Sequence, residues 1–119
     1  MKKIMVVDDE LVILDLLKQF LSRSGKYSIE TFSNPDSALK QAKNGGYDLI
    51  LSDVMMPSTS GMDILGEIKK TNPSIKVILM TAYSTQHKKD QSKELGVDKY
   101  LEKPFNSLQE VEDAISAVI

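Results

Sequence analysis

The 119 residues include no cysteine and a single histidine. Without cysteine there can be no disulfide, no thiolate metal site and no cysteine nucleophile. One histidine excludes a metal cluster built from several imidazoles. No apolar run approaches the ~18 residues of a membrane span. Met1-Lys2-Lys3 could open a signal peptide, but the apolar stretch Ile4–Val7 stops at Asp8. These absences point to a cytoplasmic, reducing compartment. A large charge of one sign is also missing. Fifteen Lys+Arg against 17 Asp+Glu leave a net charge of −2, which argues against binding nucleic acid through bulk charge. No linker, low-complexity stretch or sequence repeat interrupts the chain.

The length fits one domain spanning residues 1–119. A chain of this size buries roughly two-thirds of its unfolded surface, enough for a real core. Hydrophobic residues at 41% and charged residues at 27% are ordinary for a globular protein.

The apolar pattern switches between short runs and helical periods. Ile4–Val7, Leu49–Leu51 and Val77–Met80 are continuous runs, as strands buried on both faces require. Tyr27–Phe32 alternates and suits an edge strand, and Tyr100-Leu101 makes a short fifth. Between them, Ile13, Leu14, Leu17, Phe20 and Leu21 recur at helical spacing, with Gly25 as a stop. Asn34-Pro35 predicts an N-cap with proline in the first turn, and Gly45-Gly46 ends that helix. Met62, Leu65 and Ile68 mark a third helix, and residues about 84–95 a fourth that stops at Gly96. Ser107 with Glu110 predicts a capping box before a fifth. Strands separated by helices must be parallel, with right-handed crossovers covering both faces. The expectation is a doubly wound α/β fold.

Ligands of such sheets bind outside the carboxyl ends of the strands. Asp8, Asp9 and Glu10 follow strand 1, Asp53 strand 3, Thr81 strand 4 and Lys103-Pro104 strand 5. Taken alone, Asp8 or Asp9 reads as a helix N-cap worth ~1 kcal/mol, Lys103 as a solvated lysine and Thr81 as ordinary strand composition. Their convergence on one sheet edge is what those separate readings leave unexplained. Three close carboxylates raise one another's pKa unless a cation joins them. Mg²⁺ suits such oxygen donors and keeps room for phosphate, whose oxygens Lys103 and Thr81 would meet.

On these motifs the chain resembles the receiver domains of bacterial two-component response regulators, of the chemotaxis-regulator type. Val6-Val7-Asp8-Asp9-Glu10, Asp53-Val54-Met55-Met56-Pro57 with Gly61, Met80-Thr81-Ala82 and Lys103-Pro104-Phe105 occur in order over essentially the whole chain. The resemblance implies a flavodoxin-like, five-stranded parallel sheet in the order 2-1-3-4-5 with five helices on its two faces. It implies that Asp53 accepts a phosphoryl group from a sensor histidine kinase or histidine phosphotransfer protein. Asp9, Asp53 and the Met55 backbone carbonyl would coordinate Mg²⁺ (Mn²⁺ being the alternative), with Asp8 acting chiefly through water. Lys103 and Thr81 would bind the phosphoryl group, and Thr81 with Tyr100 would form the switch. Met55 and Tyr83 stand where the family controls the rate of dephosphorylation, and neither is an acid or amide. Ser60-Gly61 replaces the frequent Asp-Gly, with Asp63 placed to complete a cap. The Lys103–Pro104 bond is expected to be cis, which proline makes accessible.

The resemblance further implies a signalling domain rather than an enzyme, one that promotes its own phosphorylation and dephosphorylation. The surface of helix 4, strand 5 and helix 5 would face a downstream protein or an effector domain, with no direct contact to nucleic acid or membrane. No residues follow the last helix, so the sequence as given holds no effector domain, and its end at Ala117-Val118-Ile119 leaves open a longer parent. Rival readings fare worse. Gly61 and Gly66 have P-loop spacing, but Glu67 stands where lysine is required. His87 lies beside Lys88 and Lys89 in a polar helix, poorly placed for a Ser-His-Asp triad. A flavin-binding relative would need a hydroxyl- and glycine-rich loop after strand 1, where this sequence has acids. A degenerate receiver that only binds partners would not need the intact acid set.

Overall fold

The computed structural model describes residues 1–119. Ten elements alternate along the chain: β1 (Lys2–Val7), α1 (Leu11–Ser22), β2 (Tyr27–Phe32), α2 (Pro35–Asn44), β3 (Leu49–Asp53), α3 (Gly61–Thr71), β4 (Lys76–Thr81), α4 (Gln86–Glu94), β5 (Lys99–Glu102) and α5 (Leu108–Val118). The strands form one parallel sheet in the order β2-β1-β3-β4-β5. The expected order and helix count both hold. No helix is long and apolar enough to cross a membrane.

Side chains of a strand alternate between faces, and each central strand supplies two cores. Ile4, Val6, Leu49, Leu51, Ile78 and Met80 face one side, where Leu14, Leu17 and Leu21 of α1 and Val111 and Ile115 of α5 cover them. Met5, Val7, Ile50, Val77 and Leu79 face the other, against Ala38 and Ala42 of α2 and Ile64, Leu65 and Ile68 of α3. This two-sided burial is why β1, β3 and β4 read as continuous apolar runs. At the sheet edge, β2 buries Tyr27 and Ile29 while Ser28 stays exposed, hence its alternation.

The helix ends follow local chemistry with two departures. Asn34 accepts from the backbone N–H groups of Asp36 and Ser37, with Pro35 in the first turn. Ser60 and Asp63 form a reciprocal capping box. The box expected at Ser107 is only half made. Its hydroxyl accepts from the Glu110 N–H, but the Glu110 carboxylate accepts from Asn106 Nδ2 instead of returning to Ser107. Nor does Asp8 or Asp9 cap α1. Glu10 occupies the cap position without a side-chain bond, which leaves both aspartates to the sheet edge. Gly96, at φ +88°, ends α4 in the left-handed region open to glycine.

Helix α4 is held differently from its neighbours. Ser92 is its one buried residue, with Lys88 and Lys89 half-buried beside it and Leu95 at the C-cap. Helices in proteins draw most of their stability from an apolar face. Amide hydrogen exchange across residues 86–94 should therefore be about tenfold faster than in α1 or α5. Equal protection in the three helices would contradict this.

Candidate functional site

The carboxyl ends of β1, β3, β4 and β5 bring together the residues expected at the site. Asp8, Asp9 and Asp53 place carboxylate oxygens within 4.8 Å of one another. Asp8 is fully buried and Asp53 is 5% exposed, whereas Asp9 faces solvent. Asp53 is the last residue of β3 rather than the first of the loop. The strand backbone thus fixes where its carboxylate points. Asp8 is fixed at both oxygens: Oδ1 accepts from the Glu10 N–H at 2.9 Å, and Oδ2 meets Lys103 Nζ at 2.7 Å.

Lys103 reaches into the cluster from the end of β5, where its bond to Pro104 is cis. Its ammonium also lies 3.7 Å from Asp53 Oδ1. One ammonium thus meets two of the three carboxylates, and the imbalance shows in the titration of Asp53. Burial pushes the Asp53 carboxyl up from 3.8 to about 6, with the Asp8 charge adding to it and Lys103 opposing. Burial pulls Lys103 down, but its hydrogen bond to Asp8 and the charges of Asp8, Asp53 and Glu10 outweigh that, and its pKa rises. A buried, hard-oxygen cluster with more negative than positive charge fits a divalent cation.

Thr81 ends β4 fully buried, and its Oγ1 accepts from the Tyr83 N–H at 3.1 Å. That bond uses the hydroxyl as acceptor and leaves its proton free to give. Its carbonyl accepts from the Lys103 N–H at 2.8 Å, joining the ends of β4 and β5. Tyr100 packs its ring against the core on the α3 side, with its hydroxyl buried and without a partner. The same holds for Ser84 Oγ. Met55, at 50% exposure, and Tyr83, at 71%, stand on the rim.

Three further features shape the site. A Cβ at Gly61 would run into the carbonyl oxygen of Asp53. Glycine there is what lets α3 begin against the end of β3. Ser58, at φ 66°, and Thr59 both donate to the Asp36 carboxylate, tying the loop after β3 to the first turn of α2. Lys88 of α4 reaches Met55 and Tyr83 on the rim. None of these contacts has a fixed sequence spacing, although the glycine belongs to a recognisable motif. Two residues of the rival readings lie elsewhere. His87 is exposed on α4, and Glu67 is paired with Lys43 at 3.0 Å, away from any phosphate loop.

An open parallel sheet with acids, a hydroxyl and an ammonium at one carboxyl edge defines a phosphoacceptor signalling domain. Residues 4–116 match the family model for the response regulator receiver domain. The chain belongs to that family, the receivers of two-component signalling. It is 38% identical over 118 residues to the alkaline phosphatase synthesis transcriptional regulatory protein PhoP of Bacillus subtilis, covering 99% of this chain and 48% of that protein. Against the response regulator TrrA of Thermotoga maritima in complex with Mg²⁺-BeF, it is 40% identical with a TM-score of 0.88, covering 100% of both chains. The chemotaxis protein CheY4 of Vibrio cholerae superposes with a TM-score of 0.90 at 26% identity, covering 100% of this chain and 99% of that one. The chain spans about half the length of the curated relatives it matches first.

Proposed function

We propose that residues 1–119 act as one receiver unit in which Asp53 takes a phosphoryl group from a sensor histidine kinase or histidine phosphotransfer protein. The observation that carries this reading is the buried Asp53 carboxylate at the end of β3, beside Asp8 and 3.7 Å from the Lys103 ammonium. In the transfer, an Asp53 carboxylate oxygen forms a bond to phosphorus as the P–N bond of the donor phosphoimidazole breaks. The imidazole leaves with the bonding pair and takes a proton from solvent. Such transfer is mostly positioning plus neutralisation of charge on the phosphoryl oxygens. Lys103, already between Asp8 and Asp53, supplies a cation to one oxygen. Thr81 has a hydroxyl proton to give to another, and giving it draws the loop after β4 inward. Tyr100, whose buried hydroxyl has no partner to lose, then gains freedom to reorient.

A resident Mg²⁺, or Mn²⁺ as the alternative, would be held by Asp9, Asp53 and the Met55 carbonyl, with Asp8 acting through water. Bound there, it would neutralise the charge that gathers as the phosphoryl group arrives. The complex of TrrA with Mg²⁺-BeF supports this choice of ion. The same groups promote both gain and loss of phosphate, in a chain that works in the cytoplasm. The α4–β5–α5 surface passes the state to a downstream protein or an effector domain. Incubation with acetyl phosphate and Mg²⁺ tests the reading: one phosphate should be added, and peptide mapping should place it on Asp53. Label on another residue would overturn it.

The aspartyl phosphate should be long-lived for this family. Hydrolysis requires a positioned water, and neither the Met55 thioether nor the exposed Tyr83 ring offers a carboxylate or amide to hold one. Met55→Asn with Tyr83→Glu should speed loss of phosphate by about tenfold, less than a full general acid–base group contributes because these side chains only position the water. Radiolabel decay measures it, and an unchanged or slower rate would count against this account.

A further inference from the structure

Two loops frame the mouth of the carboxylate site. One follows β3 and carries Met55; the other follows β4 and carries Tyr83. A single side chain from a third element touches both. Lys88, in the first turns of α4, donates from Nζ to the Tyr83 carbonyl at 2.8 Å and meets Met55 Sδ at 3.4 Å. Its neighbour Lys89 is paired with Glu102 at 2.6 Å, whereas Lys88 makes no ion pair. A half-buried cation therefore rests on a neutral carbonyl and on a thioether, one of the weakest acceptors in proteins. Two features make this contact consequential. Helix α4 has no large apolar anchor between Gln86 and Glu94, so polar links decide how it sits. Ser84 Oγ and Tyr100 Oη, on the adjoining loop and strand, are buried without partners. A rearrangement of this region can therefore gain hydrogen bonds as well as lose them.

We infer that Lys88 is a positioning residue that ties the rim of the phosphorylation site to α4, an inference that rests on Asp53 being the acceptor. The lysine holds the Tyr83 backbone and the Met55 side chain in place across the mouth and limits the approach of water to the aspartyl phosphate. Through the same bonds it seats α4. Because the same lysine holds both the rim and the helix, a displacement of the rim moves α4 with it.

Lys88→Ala and Lys88→Arg test this in the full chain. Loss of one such contact should change rates by about threefold, the scale of a partly exposed charged link. Lys88→Ala should thus lose phosphate about threefold faster and exchange amides across 86–94 about threefold faster without any phosphodonor. Lys88→Arg, which keeps charge and donors, should stay near wild type in both. Wild-type behaviour of Lys88→Ala in either measurement overturns the link between rim and helix. So does Lys88→Arg behaving like Lys88→Ala, because a side chain that keeps the charge and the donors would then hold neither the rim nor the helix. The exchange measurement needs no phosphate. A wild-type chain that took up none would refute the assignment of Asp53, while exchange alone would still judge the hold of Lys88 on α4.

Discussion

Asp53→Asn should take up no phosphate from acetyl phosphate under conditions that label the wild type, a loss of about a thousandfold or more, because a carboxamide oxygen is no nucleophile. The same substitution should make the metal-free protein more stable at pH 7. The folded protein holds the Asp53 proton up to about pH 6, whereas an unfolded aspartate releases it near pH ~4. Between those values the folded state binds more protons than the unfolded one, so stability falls as pH rises from about 4 to about 6. A shift of about two units corresponds to about 3 kcal/mol. Asparagine carries no charge to bury beside Asp8, so its thermal midpoint at pH 7 should lie roughly 5–10 °C above wild type. The fall between pH 4 and 6 should also flatten. A mutant that labels like wild type would remove Asp53 from its role. One that fails to label and also melts lower would show that the burial of this charge has been misjudged.

Withdrawal of divalent metal produces the second large effect. In excess chelator, labelling of Asp53 should disappear. Asp8, Asp9 and Asp53 lie together with one ammonium, which meets Asp8 and Asp53, and a dianionic phosphoryl group cannot join them without further positive charge. The linkage has a counterpart in stability. At ten times its dissociation constant, Mg²⁺ should add about 1.4 kcal/mol to the wild type at pH 7. The gain should shrink below pH ~6, where Asp53 takes up its proton and the cation loses a ligand. It should be smaller in Asp53→Asn. Thermal melts with and without Mg²⁺ measure this directly. Undiminished labelling in chelator would falsify the metal requirement.

Most of the sheet was legible because burial on both faces writes itself into composition. Ile4–Val7, Leu49–Leu51 and Val77–Met80 can be little else than central strands once polar and charged residues bracket them. The acid cluster was legible for a topological reason: parallel strands deliver all their carboxyl ends to one edge, so residues distant in sequence must meet there. Local rules did less well where side chains had alternatives. Glu110 satisfied the sequence pattern of a capping box, yet its carboxylate turned to Asn106. Asp8 looked like a cap and became instead the buried partner of Lys103. In both cases a short-range preference of about 1 kcal/mol yielded to another partner. For Asp8 that partner was an ammonium brought from the far end of the chain.

The residue order by itself determined the alternation of strands and helices, the two-faced core and the chemical types gathered at the carboxyl edge. It did so because side-chain period and parallel connection follow from local geometry. The tertiary structure alone decided which oxygen each cation meets. It set Lys103 on Asp8 at 2.7 Å and on Asp53 at 3.7 Å, and brought Lys88 onto the rim. It also raised Asp53 to about 6 by enclosing it. Charge interactions and desolvation depend on distance and burial rather than on position along the chain. They take their values only when the sheet edge has assembled.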